Sequence, residues 1–240
     1  MKWMALLALV ALAAFFATER YGAGRRYWHP YYVALAGGRS HEEVLRDIGP
    51  GCRARLRDAA SSVGLPYPPS RLTIVGLKEE KALEVWGPSG SGWTLMRTYA
   101  VLAASGGVGP KLREGDLQVP EGVYRLIGFN PRSSYHLSIR VDYPNADDRA
   151  AARIDGRTNL GGDIFIHGKA VSIGCLALGD AAIEEVYTFV ADVGLARSRL
   201  LLVPNAAPQA APGSPAWVAR LYERLRNELR AVRGTPARST

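Results

Sequence analysis

The residues best suited to chemistry lie in one stretch, Asp163-Ile164-Phe165-Ile166-His167-Gly168-Lys169-Ala170-Val171-Ser172-Ile173-Gly174-Cys175. An apolar, strand-like run ends in His-Gly. A loop then returns through Ser-Ile-Gly to a cysteine placed shortly before a helix. That order can set an imidazole beside a thiol on rigid supports, with glycines on both limbs. Gly174 lets a substrate backbone approach more closely than a bulkier residue would. A thiol with an ordinary pKa of ~8.5 is mostly protonated at neutral pH, so a neighbouring imidazole is what makes it a nucleophile. Cys175 as nucleophile and His167 as its base would support acyl transfer or hydrolysis. Taken singly, each has a plainer reading. A cysteine in an apolar loop is more often a small buried hydrophobe, and a lone histidine a satisfied core residue. Zinc would need further ligands, and no second Cys or His pair lies near these two.

The elements that must position this pair read mainly as strands. Arg71 to Leu77, Ala82 to Trp86, Trp93 to Ala104, Gly122 to Phe129 and Tyr135 to Val141 are short runs rich in Val, Ile, Leu, Tyr and Trp. Gly87-Pro88-Ser89-Gly90 and Asn130-Pro131-Arg132-Ser133 separate them as turns. Asp163 to Ile166 and Arg199 to Val203 are further strands. Asp180 is expected to cap a helix reaching about Val193. Ser214-Pro215 opens a C-terminal helix with Pro at its first position, and its stripe Val218, Leu221, Leu225 and Leu229 is a docking face on the sheet. His41 to Val63 has helical spacing, which Gly49-Pro50-Gly51 should break in two. The expected fold is mainly β with flanking helices (α+β), a β-sandwich with helices at both ends. The organisation is an export segment over 1–20, a tether and N-terminal helical segment over 21–70, the catalytic domain over 71–204, and a C-terminal helix with a frayed tail over 205–240.

The bulk composition agrees with one such domain plus appendages. Of 240 residues, 48% are hydrophobic and 22% charged, a balance that can bury a core. Net charge is +8, from 30 Lys and Arg against 22 Asp and Glu. A basic surface favours anionic partners, or merely keeps the chain soluble. No Lys/Arg run interleaved with aromatics is present, which argues against nucleic acid. Lys2 followed by the apolar run Trp3 to Ala17 has the layout of a secretory signal. The run is shorter than the ~20 residues that usually span a bilayer. The best small-x-small triplet, Ala11-Leu12-Ala13, is a poor cleavage site, and Arg20, Arg25 and Arg26 outweigh Lys2 against the positive-inside rule. Cleaved and membrane-anchored forms both stay open; the expected compartment is the cell envelope, periplasmic or extracytoplasmic. Cys52 and Cys175 could pair in an oxidising compartment, but a catalytic Cys175 requires them unlinked.

The joint pattern of His-Gly followed by Ser-x-Gly-Cys resembles the signature of the YkuD-type L,D-transpeptidase catalytic domain family. Gly109-Pro110-Lys111-Leu112-Arg113-Glu114-Gly115-Asp116, Pro120-Glu121-Gly122, Tyr135-His136-Leu137-Ser138 and Tyr143-Pro144-Asn145 resemble its YafK-like branch. The resemblance covers roughly Leu72 to Val203. It implies an L,D-transpeptidase-like β-sandwich that needs no cofactor and acts on peptidoglycan stem peptides at a diaminopimelate centre. Cys175 would attack a peptide carbonyl and form a thioester, and His167 would take the thiol proton. The Gly168 carbonyl would hold the other imidazole nitrogen. Backbone N–H groups of Gly174 and Cys175 would stabilise the oxyanion, with Ser172 in the substrate site. Ile173 stands where most members have a second His, and Ala177 where an Arg commonly follows the Cys. That Arg would be the natural clamp for a substrate carboxylate. His136, Lys111, Arg113 and Arg140 are the candidates to replace it. The branch's best-understood member cuts protein–peptidoglycan links, so a hydrolase acting on wall-linked protein is an alternative to crosslinking. A catalytically silent wall-binding module is the reading from another class.

Overall fold

The computed structural model describes residues 2–21 and 25–234. In chain order the helices are α1 (Lys2–Tyr21), α2 (Arg25–Ala36), α3 (His41–Ser62), α4 (Ala146–Ile154), α5 (Asp180–Val193) and α6 (Ala216–Arg233). The strands are β1 (Leu72–Leu77), β2 (Ala82–Ser89), β3 (Gly92–Ala100), β4 (Ala103–Ala104), β5 (Gly122–Asn130), β6 (Ser138–Val141), β7 (Phe165–His167), β8 (Leu176–Ala177) and β9 (Ser198–Val203). They form one mixed sheet in the order β3-β2-β1-β9-β5-β6-β7-β8-β4. The expected β core with flanking helices is what this architecture is.

Alternation on the central strands builds two cores. In the parallel pair β1 and β9, Ile74, Leu200 and Leu202 face one side, while Val75, Leu77, Leu201 and Val203 face the other. Side chains two apart share a face, so a sheet covered on both faces needs apolar residues at every position. The first face packs under α3 and α5 through Val44, Leu56, Ile183, Val186 and Phe189. The second packs under α6, where Val218, Leu225 and Leu229 are buried as expected and Leu221 is half-buried. Each buried Leu or Val contributes about 1.5–3 kcal/mol. Buried Glu185 of α5 accepts from Arg55 (2.5 Å), Arg97 (3.0 Å) and Tyr99 (2.9 Å), tying α5 to α3 and β3.

The sheet changes partners within β5. Its first half pairs with β9 through Gly122–Arg125, and its second half pairs with β6 after an irregularity between Leu126 and Gly128. This leads the sheet to the short strands β6, β7 and β8; β7 ends in His167, and β8 follows directly on Cys175.

Several local expectations need correction. Gly87, Pro88 and Ser89, expected in a turn, are paired with β3 at the end of β2, and Pro215 is the N-cap of α6 instead of its first residue. Helix α3 runs unbroken through Gly49-Pro50-Gly51. Pro50 is exposed, and Val44, Cys52, Leu56 and Ala60 hold the helix on the core from both sides of it, so packing outweighs the proline penalty. The expected tether contains α2, while residues 22–24 and the tail beyond Gly234 lie outside the described residues. The expected strand Trp93–Ala104 divides into β3 and β4, the latter bonded to β8. Gly179, not Asp180, is the N-cap of α5, with no side-chain cap bond. Helix α4 was not expected at all. Asn145 accepts from the amides of Asp147 and Asp148, and Asp148 accepts from the amide of Asn145, a complete capping box. Among the described residues, no helix is long and apolar enough to cross a membrane.

The deepest charge lies between the sheet and α6. Lys78 Nζ donates to Glu121 (3.0 Å) and to the carbonyls of Gly109 and Val119, while Tyr222 donates to Glu121 (2.6 Å). Burial lowers the Lys78 pKa against the pull of Glu121. Removing the carboxylate strands an ammonium in the interior. Glu121→Ala is therefore expected to lower the unfolding free energy by about 3–5 kcal/mol in urea melts, with Glu121→Gln losing less.

Candidate active site

His167 ends β7, and Cys175 precedes β8 by one residue. These strands are parallel, with His167 opposite Ala177 in register. Cys175 lies two residues before Ala177, so it falls on the same face as His167. Both line a single cavity of about 440 Å³. Cys52, the other thiol, is buried in α3, and both cysteines are free.

The imidazole is set by a short backbone bond. His167 Nδ1 lies 2.6 Å from the Gly168 carbonyl oxygen. A carbonyl only accepts, so Nδ1 bears the proton and Nε2 presents its lone pair. Tyr135 packs over the ring at 4.7 Å between centroids, with 30° between planes. Burial lowers the His167 pKa, only partly offset by the Gly168 bond, which favours the neutral ring. Gly168 has no room for a side chain. A Cβ there would come within 2.7 Å of the Tyr135 carbonyl and 2.8 Å of Asp180 Oδ1. The expected role of the Gly168 carbonyl matches this geometry.

Cys175 is half-buried, and burial pushes its thiol up to about 11. The Sγ sits 3.7 Å from the Asp163 carbonyl. Burial thus favours the neutral form of both the thiol and the imidazole. An imidazole with a free lone pair that shares a cavity with a protonated thiol would make a nucleophile of it only as attack proceeds.

The loop before the nucleophile closes on Ser172. Its Oγ receives the amides of Cys175 (3.1 Å), Gly174 (3.3 Å) and Ser105 (3.2 Å), and donates to the Cys175 carbonyl (2.7 Å). Ser172 lines the cavity but is spent on shaping the loop, and the Gly174 and Cys175 amides expected to hold an oxyanion are engaged by it. The tight turn, with Gly174 at φ +126°, points these amides back at the hydroxyl.

None of the four clamp candidates lines the cavity. Lys111 is buried, donating to Asp116 (2.5 Å) and the Arg113 carbonyl (2.9 Å). Although burial raises Asp116, Lys111 and three backbone amides hold it down at about 2. Arg113 is exposed, and its amide serves the same Asp116. His136 Nε2 pairs with Glu184 of α5 at 2.7 Å. Arg140 is exposed and pairs with Asp163 at 3.0 Å, so it reaches the cavity rim only through that carboxylate. The cavity residues that sequence reasoning missed include Asp163, Tyr135, the neutral groups of Asn130, Ser133, Ser134 and Ser138, and, from α2, Tyr27. Asp163 holds a left-handed φ of +53°, a strained conformation for a non-glycine residue.

With this geometry stands a direct match of the chain to the family model for the YkuD L,D-transpeptidase catalytic domain over residues 72–218. The chain belongs to that family. Its relatives include YafK of Escherichia coli strain K12, which bears a provisional L,D-transpeptidase name. That protein is 38% identical over 115 residues, which are 47% of this chain and 44% of YafK. The chain therefore spans under half the length of the curated relatives it matches. Among solved structures, it is similar to the helical cell shape determining protein Pgp2 from Campylobacter jejuni, with 21% identity and a TM-score of 0.48. That alignment covers 72% of this chain and 61% of Pgp2. Similarity to Mycobacterium tuberculosis L,D-transpeptidase 1 is lower, with 17% identity, a TM-score of 0.33, and coverage of 55% and 62%.

Two outcomes follow for the site. Ser172→Ala removes the acceptor of three amides and is expected to cost about 1–3 kcal/mol in thermal or urea melts, as an unsatisfied polar group does. A neutral His167 base with a lowered pKa is active once deprotonated. The acid limb of a rate–pH profile should therefore lie below the ordinary imidazole value of about 6.5, with no second limb up to pH 9. A limb well above 6.5 would contradict it.

Proposed function

We propose that the protein is a cysteine acyl-transfer enzyme acting on peptidoglycan stem peptides at a diaminopimelate centre. The observation that supports it most is the neutral His167, with Nδ1 bonded to Gly168, sharing one cavity with Cys175 in a chain of the L,D-transpeptidase family. Cys175 Sγ attacks the peptide carbonyl carbon while its proton passes to His167 Nε2. The tetrahedral intermediate then expels the amine, which takes that proton as the C–N bond breaks, leaving a Cys175 thioester. An incoming amine or water gives its proton to His167 and attacks the thioester, and the thiol is restored. For the oxyanion to use the Cys175 and Gly174 amides, these must exchange Ser172 Oγ for the stronger acceptor.

A second reading, with water as the acceptor, is favoured by one feature. Among the described residues that line the cavity, none is Lys or Arg, and Lys111 is committed to Asp116. A second stem bearing a carboxylate lacks a positioning cation there, whereas water needs none. On this reading the enzyme releases peptide or wall-linked protein. The N-terminal run, whose Leu6, Leu7, Leu9, Val10 and Phe16 are exposed on α1, supports export to the cell envelope, cleaved or held at the membrane.

Mass spectrometry of peptidoglycan fragments incubated with the protein tests both readings. Wild type is expected to change the fragments, with Cys175→Ala inert and equally folded. His167→Gln should lose about 10²–10⁴ in rate. New diaminopimelate–diaminopimelate dimers would identify an amine acceptor, and release without dimers would identify water. Turnover by Cys175→Ala would refute the nucleophile.

A further inference from the structure

The segment before the family domain is built into the cavity. Tyr27 of α2 lines it together with Ser133, Ser134 and Tyr135 of the loop between β5 and β6. His29, two residues on, is only 7% exposed, and its Nδ1 lies 3.4 Å from Ser134 Oγ. The chain then keeps to the same loop. A Cβ on Gly38 would fall 2.5 Å from the Arg132 side chain, so the backbone passes directly over it. Ser40 caps α3, and His41 stacks on Phe129 at 4.4 Å and bonds the Tyr187 hydroxyl at 2.9 Å. Residues 27–41 thus run along 129–135, whose last member, Tyr135, packs on His167.

We propose that α2 is a wall of the Cys175 cavity and that Tyr27 is a specificity-determining residue on it. The cavity's remaining character indicates what it would contact. Asn130, Ser133, Ser134 and Ser138 offer neutral hydrogen-bonding groups, and Val171 and Ile173 offer apolar ones. The lining also includes the Asp163 carboxylate, which Arg140 pairs at 3.0 Å, so the neutral part of the cleft fits an uncharged stretch of peptide. A tyrosine ring adds apolar area with a polar tip at low entropic cost, suited to one edge of such a cleft. The wall follows from geometry alone. The substrate contact rests on the acyl-transfer reading above.

The test alkylates Cys175 in the full chain with iodoacetamide, which is small, and with fluorescein-5-maleimide, which is bulky. Peptide mass scores Cys175 separately from buried Cys52. Tyr27→Ala should speed the maleimide several-fold and leave iodoacetamide unchanged, with Tyr27→Phe restoring the wild-type ratio. His29→Ala, which keeps the ring but removes its neighbour's anchor, should give the same signature. Equal maleimide rates in wild type and both alanine variants would overturn the wall. On a stem-peptide substrate, Tyr27→Ala should raise KM more than it lowers kcat. An unchanged KM with altered labelling would overturn the specificity role. Altered labelling in the alanine variants, with a wild type that never turns the peptide over, would support the wall while sinking the acyl-transfer reading.

Discussion

The site depends on a hydrogen bond between neighbours in sequence, from His167 Nδ1 to the Gly168 carbonyl at 2.6 Å. An imidazole with no such partner could hold its proton on either nitrogen, and half of those states would present a donor where a base is needed. The bond requires Gly168 to sit against the Tyr135 carbonyl and Asp180, where no Cβ fits. That position is kept in turn by the Gly168 amide, which donates to the Leu137 carbonyl, and by Lys169, whose amide and ammonium both engage Asp180. The base is thus oriented by backbone, with second contacts from the next strand and from the start of α5.

Burial acts on the two reacting groups in opposite chemical directions with one result. It lowers the His167 pKa and raises the Cys175 pKa to about 11, so both neutral forms are favoured. A buried thiol kept protonated is also protected from idle oxidation. Ser172 gives the loop before Cys175 comparable economy, because one hydroxyl accepts from the amides of three residues.

Local features were the most legible in the sequence. His167, Gly168 and Cys175 lie within one short stretch, and the parallel pairing of β7 with β8 needs no distant partner to be guessed. The stripe of α6 was readable because a helix repeats its contacts every three to four residues. Long-range pairings were not. His136 looked like a free cation candidate until Glu184 came beside it, and Ser172 looked like a substrate contact until Ser105 closed on it. Lys111 could have been placed, since Asp116 lies in the same loop. The capping box of Asn145 and Asp148 was also present in the sequence and was overlooked. Pro50 misled because local propensity was weighed without the packing of α3 on both sides of it. Nothing in the aromatic segment around Tyr27 indicates that it lines the Cys175 cavity.

The neutral pair is the centre of this account, and ¹⁵N NMR of histidine-labelled protein measures it directly. At pH 7, His167 should show one protonated nitrogen, Nδ1, and an unprotonated Nε2, with the same pattern in Cys175→Ala. Two protonated nitrogens in the wild type, reverting to one in Cys175→Ala, would reveal a resting thiolate–imidazolium pair and contradict it.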